Sequence, residues 1–222
     1  MSRRAYARGP LILLAVFGLC LVVAGCGGDS EVDDSSASNP GGVIVSGGDD
    51  GPFAGAEPAQ PYQMPDVTLT DTNGADFNLK RDTGSPVTLF FYGYTHCPDV
   101  CPLVMSDITA AILQLPDDVR AKTQMVFVTT DPSRDTPGVL REYLDHYDSD
   151  FVGLTGGIGD VVKASDAMGV AIEGRHKLPS GGYDVGHGAQ VIGFAGDQAP
   201  VIWTPGTPVD DMVSDIEKLA DS

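Results

Sequence analysis

The sequence predicts a single α/β domain, a mixed sheet flanked by helices, carried behind a signal peptide and a disordered acidic tether. Three observations carry that expectation. From Pro61 onward, short apolar runs rich in β-branched and aromatic residues alternate with stretches of helical spacing. Thr136-Pro137 and Thr207-Pro208 each stand before such a stretch as an N-cap followed by Pro at the first helical position. Before Pro61 the texture differs, first basic and apolar, then rich in Gly, Ser and Asp. With 222 residues the chain has room for one core of ordinary size.

The elements follow in order. Arg3, Arg4 and Arg8 precede an apolar run from Leu11 to Ala24. That run is short for a bilayer span, which takes about 20 residues, and suits the core of an export signal. Val23-Ala24-Gly25-Cys26 resembles the lipobox of bacterial lipoproteins, so residues 1–25 are expected to be a lipoprotein signal peptide and Cys26 the lipid attachment point. The rest would then sit on the outer face of the bacterial cytoplasmic membrane. Residues 26–60 hold seven acidic residues and no Lys or Arg, and bury too little apolar surface to offset their ordering entropy. They read as a flexible tether, and 61–222 as the folded domain.

Within the domain, Val87 to Tyr92 reads as a buried strand and about 102–115 as a helix, with Val104, Ile108, Ala111, Ile112 and Leu115 on one face. Met125 to Thr130 is a second buried strand. Val139, Leu140, Tyr143, Leu144 and Tyr147 recur at helical spacing after Pro137, and a shorter helix is expected over 159–168. Residues 190–195 and 200–203 read as a hairpin around Gly196-Asp197, before a closing helix to about Ala220.

Lys and Arg number 13 against 31 Asp and Glu, a formal charge of −18. Three of the basic residues lie in the signal and seven of the acidic ones in the tether, so the part from Pro61 keeps 24 acidic against 10 basic residues. Such a field disfavours nucleic acid and anionic lipid surfaces but accepts a metal cation.

Four cysteines are too few for a disulfide scaffold of this size. Cys20 would leave with the signal and Cys26 would be capped, which leaves Cys97 and Cys101 as thiols. They lie in Tyr94-Thr95-His96-Cys97-Pro98-Asp99-Val100-Cys101-Pro102, directly after the first strong strand. Pro102 suits the first turn of a helix, which places both sulfurs near a helix N-terminus, where thiolate is favoured. Thiolate attacks disulfides and equally binds soft metals. Three intervening residues leave room for an ion between the sulfurs, and also allow a short disulfide staple, although closing so short a loop stabilises little. A structural zinc site wants four ligands and there is no second Cys pair, whereas Cu(I) is satisfied by fewer, softer donors.

A third donor would naturally be a histidine. His146 sits in an amphipathic segment beside Asp145 and Asp148 and reads as solvated, and His176 lies in a polar stretch that reads as a loop. His96 neighbours Cys97, but adjacent residues of an extended segment point to opposite sides. His187, between Gly186 and Gly188, could be presented at the sheet edge. The residues alone leave it level with an ordinary loop histidine.

Phe91-Tyr-Gly-Tyr-Thr-His-Cys-Pro-Asp-Val-Cys-Pro102 resembles the signature of the Sco/SenC family, thioredoxin-like copper-binding assembly factors for cytochrome c oxidase. Thr130-Asp-Pro-Ser-Arg-Asp-Thr-Pro137, Gly153-Leu-Thr-Gly156 and Tyr183-Asp-Val-Gly-His187 resemble later segments of that family, in the expected order. The resemblance implies a thioredoxin-like fold and one copper ion, Cu(I) or Cu(II), bound by Cys97, Cys101 and His187. One departure stands out. The family usually carries Asp immediately before the late histidine, and this chain has Gly186, so Asp184 is the candidate to orient the ring instead. Asp131 is expected either to support the site or simply to form the turn before Pro132.

The expected function is that of a metallochaperone rather than an enzyme: a lipid-anchored monomer serving the copper-site subunit of cytochrome c oxidase. The alternatives are a thiol-disulfide oxidoreductase using Cys97 and Cys101 to reduce that subunit's cysteines, and a copper or redox sensor.

Overall fold

A computed structural model of the chain describes residues 51–222. The expected signal peptide, the lipid-bearing Cys26 and most of the tether therefore lie outside the described residues. Among the described residues no helix is long and apolar enough to cross a membrane.

In chain order the elements are β1 (Tyr62–Gln63), β2 (Thr68–Asp71), β3 (Asp76–Asn78), α1 (Leu79–Asp82), β4 (Val87–Gly93), α2 (Val100–Gln114), α3 (Asp117–Arg120) and β5 (Thr123–Thr129). There follow α4 (Pro137–Leu144), β6 (Val152–Thr155), α5 (Ile158–Ala167), β7 (Ile172–Lys177), β8 (Tyr183–His187), β9 (Val191–Ala195), β10 (Gln198–Trp203) and α6 (Val209–Ala220). Eight strands form one mixed sheet in the order β1-β10-β9-β4-β5-β6-β2-β3, while β7 and β8 make a separate hairpin. β4 runs parallel to β5 and antiparallel to β9, with Leu89 opposite Met125 on one side and Gly193 on the other.

Every residue of β4 is buried, as a central strand covered on both faces requires. Its side chains alternate between two apolar layers. Leu89 and Phe91 pack with Phe127, Ile108, Met105 and Trp203 beneath α2 and α6, and Phe90 and Tyr92 pack with Val126, Val128, Phe194 and Val161 on the face that α5 covers. Edge-on aromatic pairs, Phe90 with Phe194 and Phe91 with Phe127, centre the two layers.

The strands at 87–92 and 125–130 form as expected, and the late hairpin turns on Gly196, whose φ of +55° suits glycine. Thr136 caps α4 by accepting from the Val139 N–H at 3.4 Å. The helix stops at Leu144, though, and Tyr147 is reached by turns. At α6 the expected Thr207 cap is absent. The Thr207 hydroxyl donates back to the Thr204 carbonyl at 2.9 Å, and Pro208 occupies the cap position without a side-chain bond. Strands β2, β3, β6, β7 and β8 are too short or too polar to stand out by periodicity, so His176 lies on a strand where the sequence suggested a loop.

The tether was expected to run to residue 60, but docked chain begins earlier. The N–H groups of Ala54 and Gly55 donate to the Asp215 carboxylate at 2.9 and 2.8 Å, and Ala56 bridges Ile202. Composition misses this because the docking is made by main-chain donors and one distant carboxylate, with Phe53 as the only large apolar contact. Asp215 is fully buried and also accepts from the Trp203 indole and the Lys218 ammonium, both at 3.0 Å. Burial by itself would raise its pKa, but these donors outweigh it and hold the carboxyl below the usual carboxylate range.

A carboxylate whose folded pKa is depressed stabilises the fold above its unfolded pKa of about 3.9, and that contribution fades as pH falls through the lower folded value. Asp215→Ala is expected to lose about 1–3 kcal/mol at neutral pH by orphaning these donors. Its deficit relative to wild type should shrink as the pH falls below about 4. Denaturant unfolding followed by the single tryptophan, Trp203, measures both.

Candidate metal centre

The site lies where β4 ends and α2 begins. Asp99 caps α2 by accepting from the Val100 N–H, and Pro102 falls in the first turn, where its missing N–H costs nothing. Cys97, in the preceding turn, is tied by its N–H to the Tyr94 carbonyl at 3.2 Å. Its sulfur accepts from the Cys101 N–H at 3.4 Å, so it sits against the helix N-terminus as the sequence suggested. Both cysteines are buried and neither is in a disulfide.

The two thiols share their protons unequally. The Cys101 thiol donates to the Cys97 sulfur, and this bond does most to lower the Cys97 pKa to about 5. Burial opposes it, while the Cys101 and Asp99 N–H groups and His187 add to it. The same bond, together with burial, pushes the Cys101 thiol well above the ordinary range. Within the pair, thiolate is favoured at Cys97 over Cys101.

His187 ends β8 and comes to the pair from 86 residues away, its Nε2 lying 3.8 Å from the Cys101 sulfur. Its Nδ1 lies 2.8 Å from the Gly188 carbonyl. A carbonyl only accepts, so Nδ1 carries the proton, and in the neutral ring Nε2 keeps its lone pair towards the sulfur. Tyr94 meets the imidazole edge-on, with ring centroids 5.8 Å apart. Burial, with the thiols and Asp184 adding negative charge, pushes the Tyr94 phenol up to about 12 against the Val185 N–H that favours its ionised form.

The orienting role considered for Asp184 goes to the Gly188 carbonyl. Strand alternation turns Asp184 and position 186 away from the face that carries His187, and a Cβ at Gly186 would meet Glu173 and His176 rather than the imidazole. The other histidines stay apart. His96 is exposed and lies beside the Thr95 hydroxyl at 3.0 Å, His146 bonds the Glu142 carbonyl of its own segment, and His176 faces Asp184 across the hairpin.

Two buried carboxylates hold the loops around the thiols. Asp135, which the sequence did not single out for a role, accepts from the Thr95 N–H at 3.0 Å, the Thr95 hydroxyl at 2.7 Å and the Thr129 hydroxyl at 2.6 Å. It thereby fastens the start of the cysteine loop to the end of β5. Asp131 does form the turn, its carbonyl accepting from the Arg134 and Asp135 N–H groups. Its carboxylate does more, binding Ser133 at 2.7 Å, Arg134, Arg175 at 3.0 Å and the Tyr183 hydroxyl at 2.9 Å. These donors prevail over burial and keep its pKa low. Nothing in spacing announces this cluster, because Arg175 and Tyr183 are more than 40 residues away from Asp131.

Among the described residues no group of three or more His, Cys, Asp or Glu side chains is already drawn up to hold a metal ion. Cys97, Cys101 and His187 nonetheless suit a soft one. Metal–sulfur and metal–nitrogen lengths of about 2.3 and 2.0 Å at an angle near 120° would place sulfur and nitrogen about 3.7 Å apart, and the Cys101–His187 separation is 3.8 Å. Closing the site would require loss of the shared thiol proton and small rotations of the side chains.

A family model for SCO1/SenC matches residues 56–221. The chain belongs to the SCO1/SenC family. It is 38% identical over 105 residues to a SCO2-like protein of Rickettsia felis, a match covering 47% of this chain and 50% of that one. The chain spans 60% of the length of one curated relative, from Stutzerimonas stutzeri, and 29% and 50% of two other curated relatives that it matches. Among solved structures, apo Sco1 of Thermus thermophilus is 29% identical with a TM-score of 0.67, covering 78% of this chain and 99% of that one. Copper-bound ScoI of Bradyrhizobium japonicum is 25% identical with a TM-score of 0.63, covering 71% and 99%. As in these SCO1/SenC structures, the fold is thioredoxin-like, a mixed sheet with flanking helices.

In the reduced, metal-free protein, iodoacetamide should modify Cys97 with a pH midpoint near 5 and leave Cys101 largely untouched. Cys101→Ala removes the strongest support of the Cys97 thiolate and should move that midpoint up towards about 8.5, the ordinary thiol value. Mass spectrometry of pH-pulsed alkylation reads both.

Proposed function

We propose that this SCO1/SenC protein is an extracytoplasmic copper chaperone that carries one copper ion on Cys97, Cys101 and His187. It would deliver that copper to the copper-site subunit of cytochrome c oxidase from a lipid anchor at Cys26. The observation that carries the reading is the approach of His187 Nε2 to 3.8 Å from the Cys101 sulfur, beside a Cys97 thiolate at a helix N-terminus. Copper bound to a family relative of the same fold supports the choice of metal. Two thiolates and an imidazole suit Cu(I), and the imidazole lets the same site accept Cu(II).

The chain's own residues do three things for the cargo. Cys97 offers a ready thiolate, the Gly188 carbonyl keeps the His187 lone pair turned inward, and Cys101 must release its proton when the ion enters. Copper uptake therefore liberates a proton, and affinity should rise with pH. Cys97 is the more exposed residue of the pair, at 8% against none for Cys101, so a partner's ligands would reach the cargo from the Cys97 side. The acidic surface of the domain suits a recipient with a basic docking face.

A second reading rests on the same thiols. A low-pKa Cys97 backed by a protonated Cys101 is the asymmetry of an attacking and a resolving cysteine, which fits reduction of the disulfide in a copper-site subunit. That role needs no histidine.

Anaerobic Cu(I) titration against a competing chelator should show one copper per chain, with Cys97→Ser and Cys101→Ser each weakening it at least a hundredfold. His187→Ala should weaken it at least tenfold while leaving thiol-disulfide exchange near wild type. Unchanged copper retention in all three variants would sink the chaperone reading.

A further inference from the structure

His187 stands on a hairpin that belongs to no larger sheet, since β7 and β8 pair only with each other. The Gly188 N–H donates to the Ala171 carbonyl at 2.9 Å, which closes the hairpin's two arms at the histidine end. Apolar packing is confined to Val185, buried in the core, with Ile172 and Tyr183 packed against it. Beside the hairpin lies a cavity of about 620 Å³, lined by Pro132, Ile158, Val162, Ile172 and Val185 among others.

The polar fastening of the hairpin comes from Asp131. Tyr183, Val185 and His187 share one face of β8, and Arg175 lies opposite Val185 in register. Tyr183 gives its hydroxyl to both Asp131 oxygens, at 2.9 and 3.1 Å, and Arg175 donates to the same carboxylate at 3.0 Å. Arg134 binds Asp131 from below, donates to the Tyr183 carbonyl at 3.2 Å and lies 3.8 Å over the Tyr183 ring. The same guanidinium sits 5.7 Å from the centre of the Tyr94 ring, whose neighbour is His187. One buried carboxylate thus ties the hairpin to the β5–α4 loop and, through Arg134 and Tyr94, to the cysteine loop. Burying such an ion cluster costs desolvation that its pairing roughly repays, so its main effect is to hold geometry.

We infer that Asp131, Arg134, Arg175 and Tyr183 form a positioning clamp for His187, deciding whether copper is held by two sulfurs alone or by two sulfurs and a nitrogen. The inference rests on the ligand set proposed above. Cu(I) tolerates two thiolates, while Cu(II) needs the harder nitrogen donor. Loosening the clamp therefore weakens Cu(I) binding moderately and abolishes stable Cu(II) binding.

The test is a double-mutant cycle on the full chain, with Cu(I) titrated anaerobically against a chelator for wild type, Asp131→Asn, His187→Ala and the double variant. Asp131→Asn is expected to weaken Cu(I) roughly tenfold to a hundredfold when His187 is present, and less than about twofold when His187 is already gone. The thiolate-to-Cu(II) absorption band should be lost in Asp131→Asn as in His187→Ala. Tyr183→Phe, which removes one hydroxyl and keeps the ring, should move in the same direction and serves if Asp131→Asn does not fold. In the metal-free protein both variants should lose amide-exchange protection over residues 183–187. Equal loss of affinity in both histidine backgrounds, no loss in either, or unchanged exchange overturns the clamp. If His187→Ala itself binds copper like wild type, the ligand set fails first, a result distinct from a clamp failure, in which His187→Ala matters and Asp131→Asn does not.

Discussion

The structure turns on the contact between two sulfurs at the head of α2. The fully buried Cys101 thiol favours ionisation of Cys97, and the Cys101 N–H donates to the Cys97 sulfur at 3.4 Å. A thiolate is thereby held in an apolar setting that would otherwise protonate it. Everything around it keeps that arrangement from relaxing. β4 is buried along its whole length and cannot shift, Asp99 fixes the first turn, and Asp135 pins Thr95 on the approach to the turn. Were the pair isolated from these supports, two thiols on a mobile loop would oxidise or titrate independently.

The two buried aspartates divide the remaining work. Asp135 looks inward, bonding to the cysteine loop and to Thr129 on β5, so the thiols and the sheet move as one. Asp131, four residues earlier, looks outward and collects two guanidiniums and a phenol from the hairpin and its neighbouring loop. A single turn, Asp131 to Asp135, therefore governs both halves of the proposed ligand set. Beside the cavity, the hairpin is held by the charges and hydrogen bonds of Asp131 together with the packing of Val185. Such a support is stiff while intact and weak once one member is lost.

Asp215 repeats the device on α6. It binds the N–H groups of Ala54 and Gly55, the Trp203 indole and Lys218, and so fixes the 54–55 segment against α6 and β10. The segment it holds was legible only as Gly, Ala and Pro. Its order comes from a residue 160 positions away, which no local reading of composition detects. The same holds for β7 and β8, where Glu, Arg, His and Lys dominate β7 and conceal a strand whose one buried position pair-mate, Val185, lies on the other arm.

The local parts of this protein were legible in its residues. Val87 to Tyr92 makes a buried strand, Pro102 starts a helix, Thr136-Pro137 starts another, and Cys97 and Cys101 lie at a helix N-terminus, because each depends on neighbours within a few positions. The motifs likewise sufficed to place the chain in its family. His187 could not be chosen over an ordinary loop histidine from its flanking glycines, and the roles of Asp131 and Asp135 could not be told from turn formation. The contacts these residues make are set by tertiary structure alone. A histidine reaches a sulfur 86 residues away only when a hairpin is placed by partners scattered across the chain, and pairing at that distance leaves no periodicity in sequence to read.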